Sequence, residues 1–185
     1  MSAITESQPK LIEEWAAVLK TRSGLQLYVR PTAPEDEATV RAFFAELTAD
    51  DLRFRFLSAM PRPCDSLYDV LIKVDHVRTE DFLVFVDEGG SRRMVASAML
   101  SCDAGTKTAE VAISVHPAFR NKGIGWTLLD FIARDAEARG MEVLQSIECP
   151  DNRGALEVEK DLGFAIRFYP DEPRLNLVSK RLGKR

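Results

Sequence analysis

The sequence predicts a single mixed α/β domain of the α+β kind, and three observations carry that prediction. Residues 25–30 alternate Leu25, Leu27 and Val29 against Gln26, Tyr28 and Arg30, which is the two-residue period of a half-buried strand. Three further strand-like stretches, residues 82–86, 94–101 and 108–115, follow one another across Glu88-Gly89-Gly90-Ser91 and Asp103-Ala104-Gly105, as in an antiparallel meander. After them, Ile124, Leu128, Leu129, Phe131, Ile132 and Ala136 line one side of a long helix that ends at Arg139-Gly140. Consecutive strands with helices on both sides of them in sequence need a sheet and a helical layer to bury their apolar faces.

In chain order, Leu11, Ile12, Trp15, Val18 and Leu19 recur at helical spacing and predict a short amphipathic helix over residues 9–20, closed by Gly24. It belongs to an N-terminal extension, residues 1–23, ahead of a domain spanning residues 24–185. Pro31 stops the first strand. Pro34 then suits a first helical position, Glu35, Asp36 and Glu37 sit where a helix dipole favours negative charge, and Val40, Phe43, Phe44 and Leu47 form a buried stripe. Residues 51–57 and, after the break at Pro61 and Pro63, residues 66–74 carry two more short helical patterns that flank a binding cleft in this reading. Beyond the long helix come a strand at 143–148, a helix at 153–162 and a final hairpin, 164–169 and 175–182, across Pro170-Asp171-Glu172-Pro173.

Composition narrows the function. With 185 residues, 45% of them hydrophobic, the chain can bury one sizeable core and is short for two. A net charge of -4 from intermixed signs gives no broad basic surface, so nucleic acid is not an expected partner. Cys64, Cys102 and Cys149 are odd in number and show no CxxC spacing, which predicts reduced thiols and no metal site. No apolar run approaches the roughly 18 residues of a membrane span, and the first ten residues lack a signal peptide's pattern, so a cytoplasmic location without membrane attachment is expected.

The chemistry concentrates in Arg120-Asn121-Lys122-Gly123-Ile124-Gly125, which follows the strand at 108–115 and opens the long helix. Two glycines there let a ligand approach the backbone, and the first-turn N–H groups have no intrahelical acceptors, so together they form an anion cradle suited to a pyrophosphate. Arg120 and Lys122 sit beside a helix N-terminus that disfavours cations, which points to a bound anion. The lysine precedes the last glycines, unlike in a P-loop, and Leu128 stands where a dinucleotide fingerprint needs a small residue. An ordinary glycine loop capping a helix is the bland alternative.

These residues resemble the signature of the GNAT (Gcn5-related N-acetyltransferase) family, Arg or Gln, two residues, Gly, one residue, Gly or Ala, which Arg120, Gly123 and Gly125 match. The run Asn152-Arg153-Gly154-Ala155 through Leu162-Gly163-Phe164 also resembles the family's later helix and strand start. Within the family, Leu27-Tyr28-Val29-Arg30-Pro31, Phe43-Phe44-Ala45-Glu46-Leu47 and Leu52-Arg53-Phe54-Arg55-Phe56 resemble the bacterial protein lysine acetyltransferases. The resemblance implies a mostly antiparallel central sheet, splayed between its fourth and fifth strands and flanked by helices. It also implies acetyl-CoA as acyl donor, without a metal. The cofactor would be held by main-chain groups near Ile113, Ser114 and Val115, by the loop Arg120, Asn121, Lys122, Gly123, Ile124 and Gly125, and by Asn152. The acceptor would be an amine, either a protein lysine or a small molecule such as a polyamine, amino acid or aminoglycoside. A catalytically silent acyl-CoA-binding regulator is the other class of reading, and a homodimer is left open.

Glu110 shares a strand face with the small residues Ala112 and Ser114 and matches the position of the family's glutamate base, so it is the candidate general base. Partial desolvation against the sheet would raise its pKa toward working pH. The family's usual acid, a tyrosine, falls at Glu159 here, leaving that role vacant or differently filled, with Tyr169 a distant substitute. His116 is a weaker candidate base, and Cys102 and Cys149 have no legible activating neighbour. Asn152 sits at a helix N-cap position, and Trp126 either packs on the core or shields the pantetheine arm.

Overall fold

The computed structural model describes residues 16–60 and 62–183. Its centre is one sheet of eight strands: β1 Ala17–Lys20, β2 Gln26–Pro31, β3 Thr79–Glu88, β4 Ser91–Asp103, β5 Thr108–Val115, β6 Val143–Glu148, β7 Ala165–Phe168 and β8 Asn176–Arg181. The spatial order is β1-β2-β3-β4-β5-β6-β8-β7, antiparallel throughout except for the parallel pair β5 and β6.

The meander and its turns lie where the alternation and the glycines place them. Gly89 and Gly90 adopt φ 61° and 93°, the left-handed region that makes a tight hairpin with glycine inexpensive. The helices are α1 Glu37–Ala45, entered through a short turn at Pro34–Asp36, then α2 Ala49–Phe56, α3 Asp65–Ile72, α4 Ile124–Ala138 and α5 Arg153–Asp161. Thr48 caps α2: its side chain accepts from the Asp51 N–H while the Asp51 carboxylate accepts from the Thr48 N–H, a reciprocal satisfaction of free amides.

The two-residue alternation divides the apolar residues between two cores. Leu27, Val29, Phe82, Val84, Val111 and Leu144 pack with Ile124, Leu128 and Ile132 of α4. On the other side, Leu83, Phe85 and Met94 pack with Val40, Phe43 and Phe44 of α1, Leu52 of α2 and Leu71 of α3. Burying such side chains is worth about 1.5–3 kcal/mol each, so both helical layers are anchored by the sheet.

One expectation is corrected. Of the helix expected over residues 9–20, residues 9–15 lie outside the described residues, and Ala17–Lys20 is a strand, paired from Ala17↔Val29 to Lys20↔Gln26. The extension therefore contributes an edge strand to the sheet. The splay expected between the fourth and fifth strands accordingly falls between β5 and β6, the same two strands counted with β1 included. They pair only at Thr108↔Val143, Ala109↔Leu144 and Glu110↔Gln145, whereas β5 stays paired with β4 along its whole length and β6 with β8.

Candidate active site

The gap that opens beyond Glu110 and Gln145 has chain-built walls. His116 N–H donates to Val95 O at 2.8 Å, so the main-chain groups of His116, Ser114 and Ala112 turn toward β4. By the same alternation Ile113 and Val115 turn theirs toward the gap, beyond the last pair of β5 with β6, Glu110↔Gln145. Of Ile113, Ser114 and Val115, Ile113 and Val115 turn their main-chain groups toward the gap, while those of Ser114 turn toward Ser97 on β4.

At the mouth of the gap stands α4. Gly123 occupies its N-cap position with φ 81°, and an added Cβ would meet Thr21 Cβ at 3.4 Å, so both backbone and neighbours favour glycine. Gly125 differs. It has no positive φ and no protein atom within 4 Å of an added Cβ, so its side faces open space at the first turn of a fifteen-residue helix. Free first-turn amides with open space beside them fit a pyrophosphate. Asn121 is held at φ 59°, which bends the loop, and Ser23 Oγ donates to Lys122 O at 2.9 Å, tying the loop to the turn after β1. Lys122 Nζ lies 4.6 Å over the Phe119 ring, and Arg120 Nη2 pairs with Asp51 on α2. The Arg120 cation thus has a protein partner, which a ligand phosphate would compete with. Trp126 is half-buried, with the Arg22 guanidinium 4.0 Å over its ring, so the post-β1 turn covers it.

Glu110 is exposed at the vertex of the splay, so the desolvation expected of it is not found. Its electrostatic neighbours are Arg55 and Tyr169. The Arg55 Nε and Nη2 atoms are buried without hydrogen-bond partners, and burial pushes its guanidinium pKa down, with Asp81 and Glu110 opposing. Asp81 accepts from Ser97 Oγ at 2.9 Å, and burial pushes its carboxyl up to about 7. Arg55 and Asp81 were not singled out by sequence reasoning; the signal was the Arg53-Phe54-Arg55-Phe56 alternation, with a cation on the apolar side of α2. Tyr169, at the hairpin, has its phenol raised above the usual value by a hydrogen bond to Asp171.

His116 is committed elsewhere. Its Nδ1 accepts from Ala118 N–H at 3.1 Å and its Nε2 lies 2.7 Å from Glu46 Oε2, so neither ring nitrogen is free as a base. Burial pushes the Cys102 and Cys149 thiols up, away from nucleophilic thiolate. Asn152 does hold the N-cap position of α5, but its side chain makes no capping bond and instead donates from Nδ2 to Glu148 Oε2 at 2.7 Å. Beside this end of β6 lies a cleft of 410 Å³ lined by Arg53, Leu57, Cys149, Asp151, Glu172 and Arg174. Of the two helical patterns expected to flank a cleft, residues 51–57 do so through Arg53 and Leu57, while none of residues 66–74 lines it and the final hairpin forms the other wall.

A sheet that splays after a short parallel pairing, with a glycine-opened helix at the mouth of the gap, defines a GNAT-type acetyltransferase fold. Residues 41–164 match the Acetyltransferase (GNAT) family, and the chain belongs to that family. It is 27% identical over 170 residues to "Acetyltransferase Pat" of Mycolicibacterium smegmatis, a match covering 86% of this chain and 50% of that protein. The chain thus spans about half the length of that curated relative. Among solved structures, the GNAT domain of S. lividans PAT superposes with a TM-score of 0.81 at 23% identity, covering 91% of this chain and 98% of that one. The ribosomal-protein-S5-alanine acetyltransferase of Vibrio fischeri gives 0.68 at 14% identity, covering 91% and 98%. At these identities the two structures speak for the fold alone.

Proposed function

We propose that this chain moves an acetyl group from acetyl-CoA directly to the side-chain amine of a protein lysine. The observation that carries the reading is the opening of β5 from β6 immediately beyond Glu110, with the glycine cradle of α4 at the other end of the same gap. A pyrophosphate on the amides of Gly123 to Gly125 would lead the pantetheine along the unpartnered main chain of Val115 and Ile113 toward Glu110. The thioester would then arrive beside a carboxylate.

Glu110 is placed to take a proton from the incoming ammonium, directly or through a water, because it is exposed and borders the vertex. Arg55 stands nearby as a cation whose buried Nε and Nη2 lack hydrogen-bond partners, with Asp81 and Glu110 as its carboxylate neighbours. The freed amine attacks the thioester carbonyl. The main-chain N–H groups turned into the gap supply donors for the oxyanion that forms. No covalent acetyl-enzyme is needed.

A lysine acceptor is supported by the resemblance to the bacterial protein lysine acetyltransferases and by the likeness to Pat. Locally, exposed Asp151 and Asp171, together with Glu110, give the acceptor side carboxylates for an ammonium to approach. The test is thiol release from acetyl-CoA with a panel of lysine-bearing proteins and small amines, with mass spectrometry of the product. Acetyl-lysine on a protein with little release to small amines is expected. Preference for a small amine would replace the acceptor assignment. Cofactor binding with no release to any acceptor would favour the silent regulator instead.

A further inference from the structure

The face of the sheet opposite Glu110 carries two carboxyls that the transfer as described leaves without a task. Glu110 and its β6 neighbour Gln145 point toward the α1–α3 side, while Leu144, Ser146 and Glu148 alternate to the α4–α5 side. Ser146 is the first β6 residue beyond the last pair with β5, so Ser146 and Glu148 stand along the open part of the strand. Glu159 of α5 packs onto them.

Glu159 is only 4% exposed. Ser146 Oγ donates to its Oε1, and its Oε2 is buried with no hydrogen-bond partner. Glu148, beside it, accepts from Asn152 Nδ2 at 2.7 Å. Among the described residues neither carboxyl has a cation against it. On α4, Asp130 and Arg134 pair with each other, and on β8, Lys180 Nζ donates to Leu162 O at 2.7 Å. Glu159 is buried and Glu148 beside it is partly buried, and with no cation against them among the described residues the charged form of each is disfavoured, so the pair retains a proton. A buried oxygen lacking a partner is where a hydroxyl waits for an acceptor that arrives with a ligand.

We infer that the Glu148–Glu159 pair, reached through the gap between β5 and β6, holds the proton that the departing coenzyme A sulfur takes up. This rests on the acetyl transfer proposed above. Glu110 passes the ammonium's proton on to solvent, and as the amine nitrogen bonds to the carbonyl carbon Glu110 takes the second nitrogen proton and releases it to solvent in turn. The carbon–sulfur bond breaks with its electron pair on sulfur, sulfur takes the proton of the pair, and solvent reprotonates the carboxylate left behind. Base and acid then act from opposite faces of the sheet, on the attacking and the leaving atom. Burial pushes Glu148 to about 8 and Glu159 to about 7, which keeps an acid available at neutral pH for a thiolate whose conjugate acid lies near ~8.5.

The experiment uses the full chain with Glu159→Gln and Glu148→Gln, measuring coenzyme A affinity, kcat for transfer to an accepted amine, and the kcat pH profile. The expected result for Glu159→Gln is unchanged affinity and a kcat lowered about a hundredfold, the scale of a lost general acid. The parent's kcat should decline as pH rises through the values of the pair, and that decline should vanish in the variant. If the parent transfers acetyl to no amine, the transfer reading falls and this inference with it. If the parent transfers normally and both variants match it across pH, this inference alone falls. Should neither variant fold, the infrared spectrum of the parent decides. A protonated-carboxyl band at pH 7 that shifts on adding coenzyme A supports the pair as acid, and absence of that band overturns it.

Discussion

Two glutamates on the two faces of the splay, Glu110 and Glu159, have the same chemistry and opposite surroundings. Glu110 is exposed at the vertex, with Arg55 and Tyr169 nearby. Glu159 is buried against Ser146 and Glu148 with one oxygen unpartnered. The contrast teaches that the sheet sets the surroundings of each carboxyl: burial without a cation among the described residues pushes Glu159 up, while Glu110 stands open to solvent, and the acid and base roles proposed above follow that division.

The largest expected effect falls on the exposed member. Glu110→Gln should cost about a hundredfold or more in kcat at pH 7 with coenzyme A affinity unchanged, measured by steady-state thiol release and calorimetry. Equal rates would remove Glu110 as base and break the comparison at its better-solvated end. Next, Gly125→Asp should weaken coenzyme A binding more than tenfold, over about 1.4 kcal/mol, because it sets a carboxylate in the open space beside the first-turn amides where the pyrophosphate would lie. Unchanged affinity in the folded variant would reduce the loop to a helix cap.

A smaller effect tests Glu159 without any substrate. Glu159 and Glu148 have folded pKa values near 7 and 8, raised from 4.5. The folded state therefore binds protons more tightly than the unfolded one, and stability is greatest below about 4.5 and declines as pH rises through the folded values. Thermal melts should show the parent losing stability between pH 5 and 8 more steeply than Glu159→Gln. Parallel slopes in the two proteins would mean that Glu159 is not held protonated by the fold. The smallest effect concerns Arg120. Asp51→Asn should free it and tighten coenzyme A binding about twofold, since a part-exposed pair is worth well under about 1 kcal/mol.

The local backbone features were legible and the environments were not. Alternation placed β5 and β6 to the residue and β2 to within one, and found the middles of β3 and β4 but not their ends, while Gly123 and Gly125 announced the mouth of α4, because period and glycine conformation are properties of short stretches. The family assignment rested on the same stretches. Strand β1 was missed because its four residues are too few to establish a period of two, and Val18 and Leu19 fit a helical spacing begun by Leu11, Ile12 and Trp15. Burial is set by distant neighbours, so nothing in the letters showed that Glu110 is exposed or that Ser146 and Glu148 close on Glu159. The missing tyrosine at position 159 marked a change in the site, and packing supplied what stands there. Arg55 was hidden for the same reason: its partners Asp81 and Glu110 come from two other strands.

A crystal structure with coenzyme A bound tests the account most directly. It should show the pyrophosphate on the amides of Gly123 to Gly125, the pantetheine against Val115 and Ile113, and the sulfur at the splay within hydrogen-bond reach of the Glu148–Glu159 pair, with Glu110 across the sheet. A coenzyme seated in the cleft beside Arg53 and Arg174, or a sulfur out of reach of both carboxyls, would contradict it.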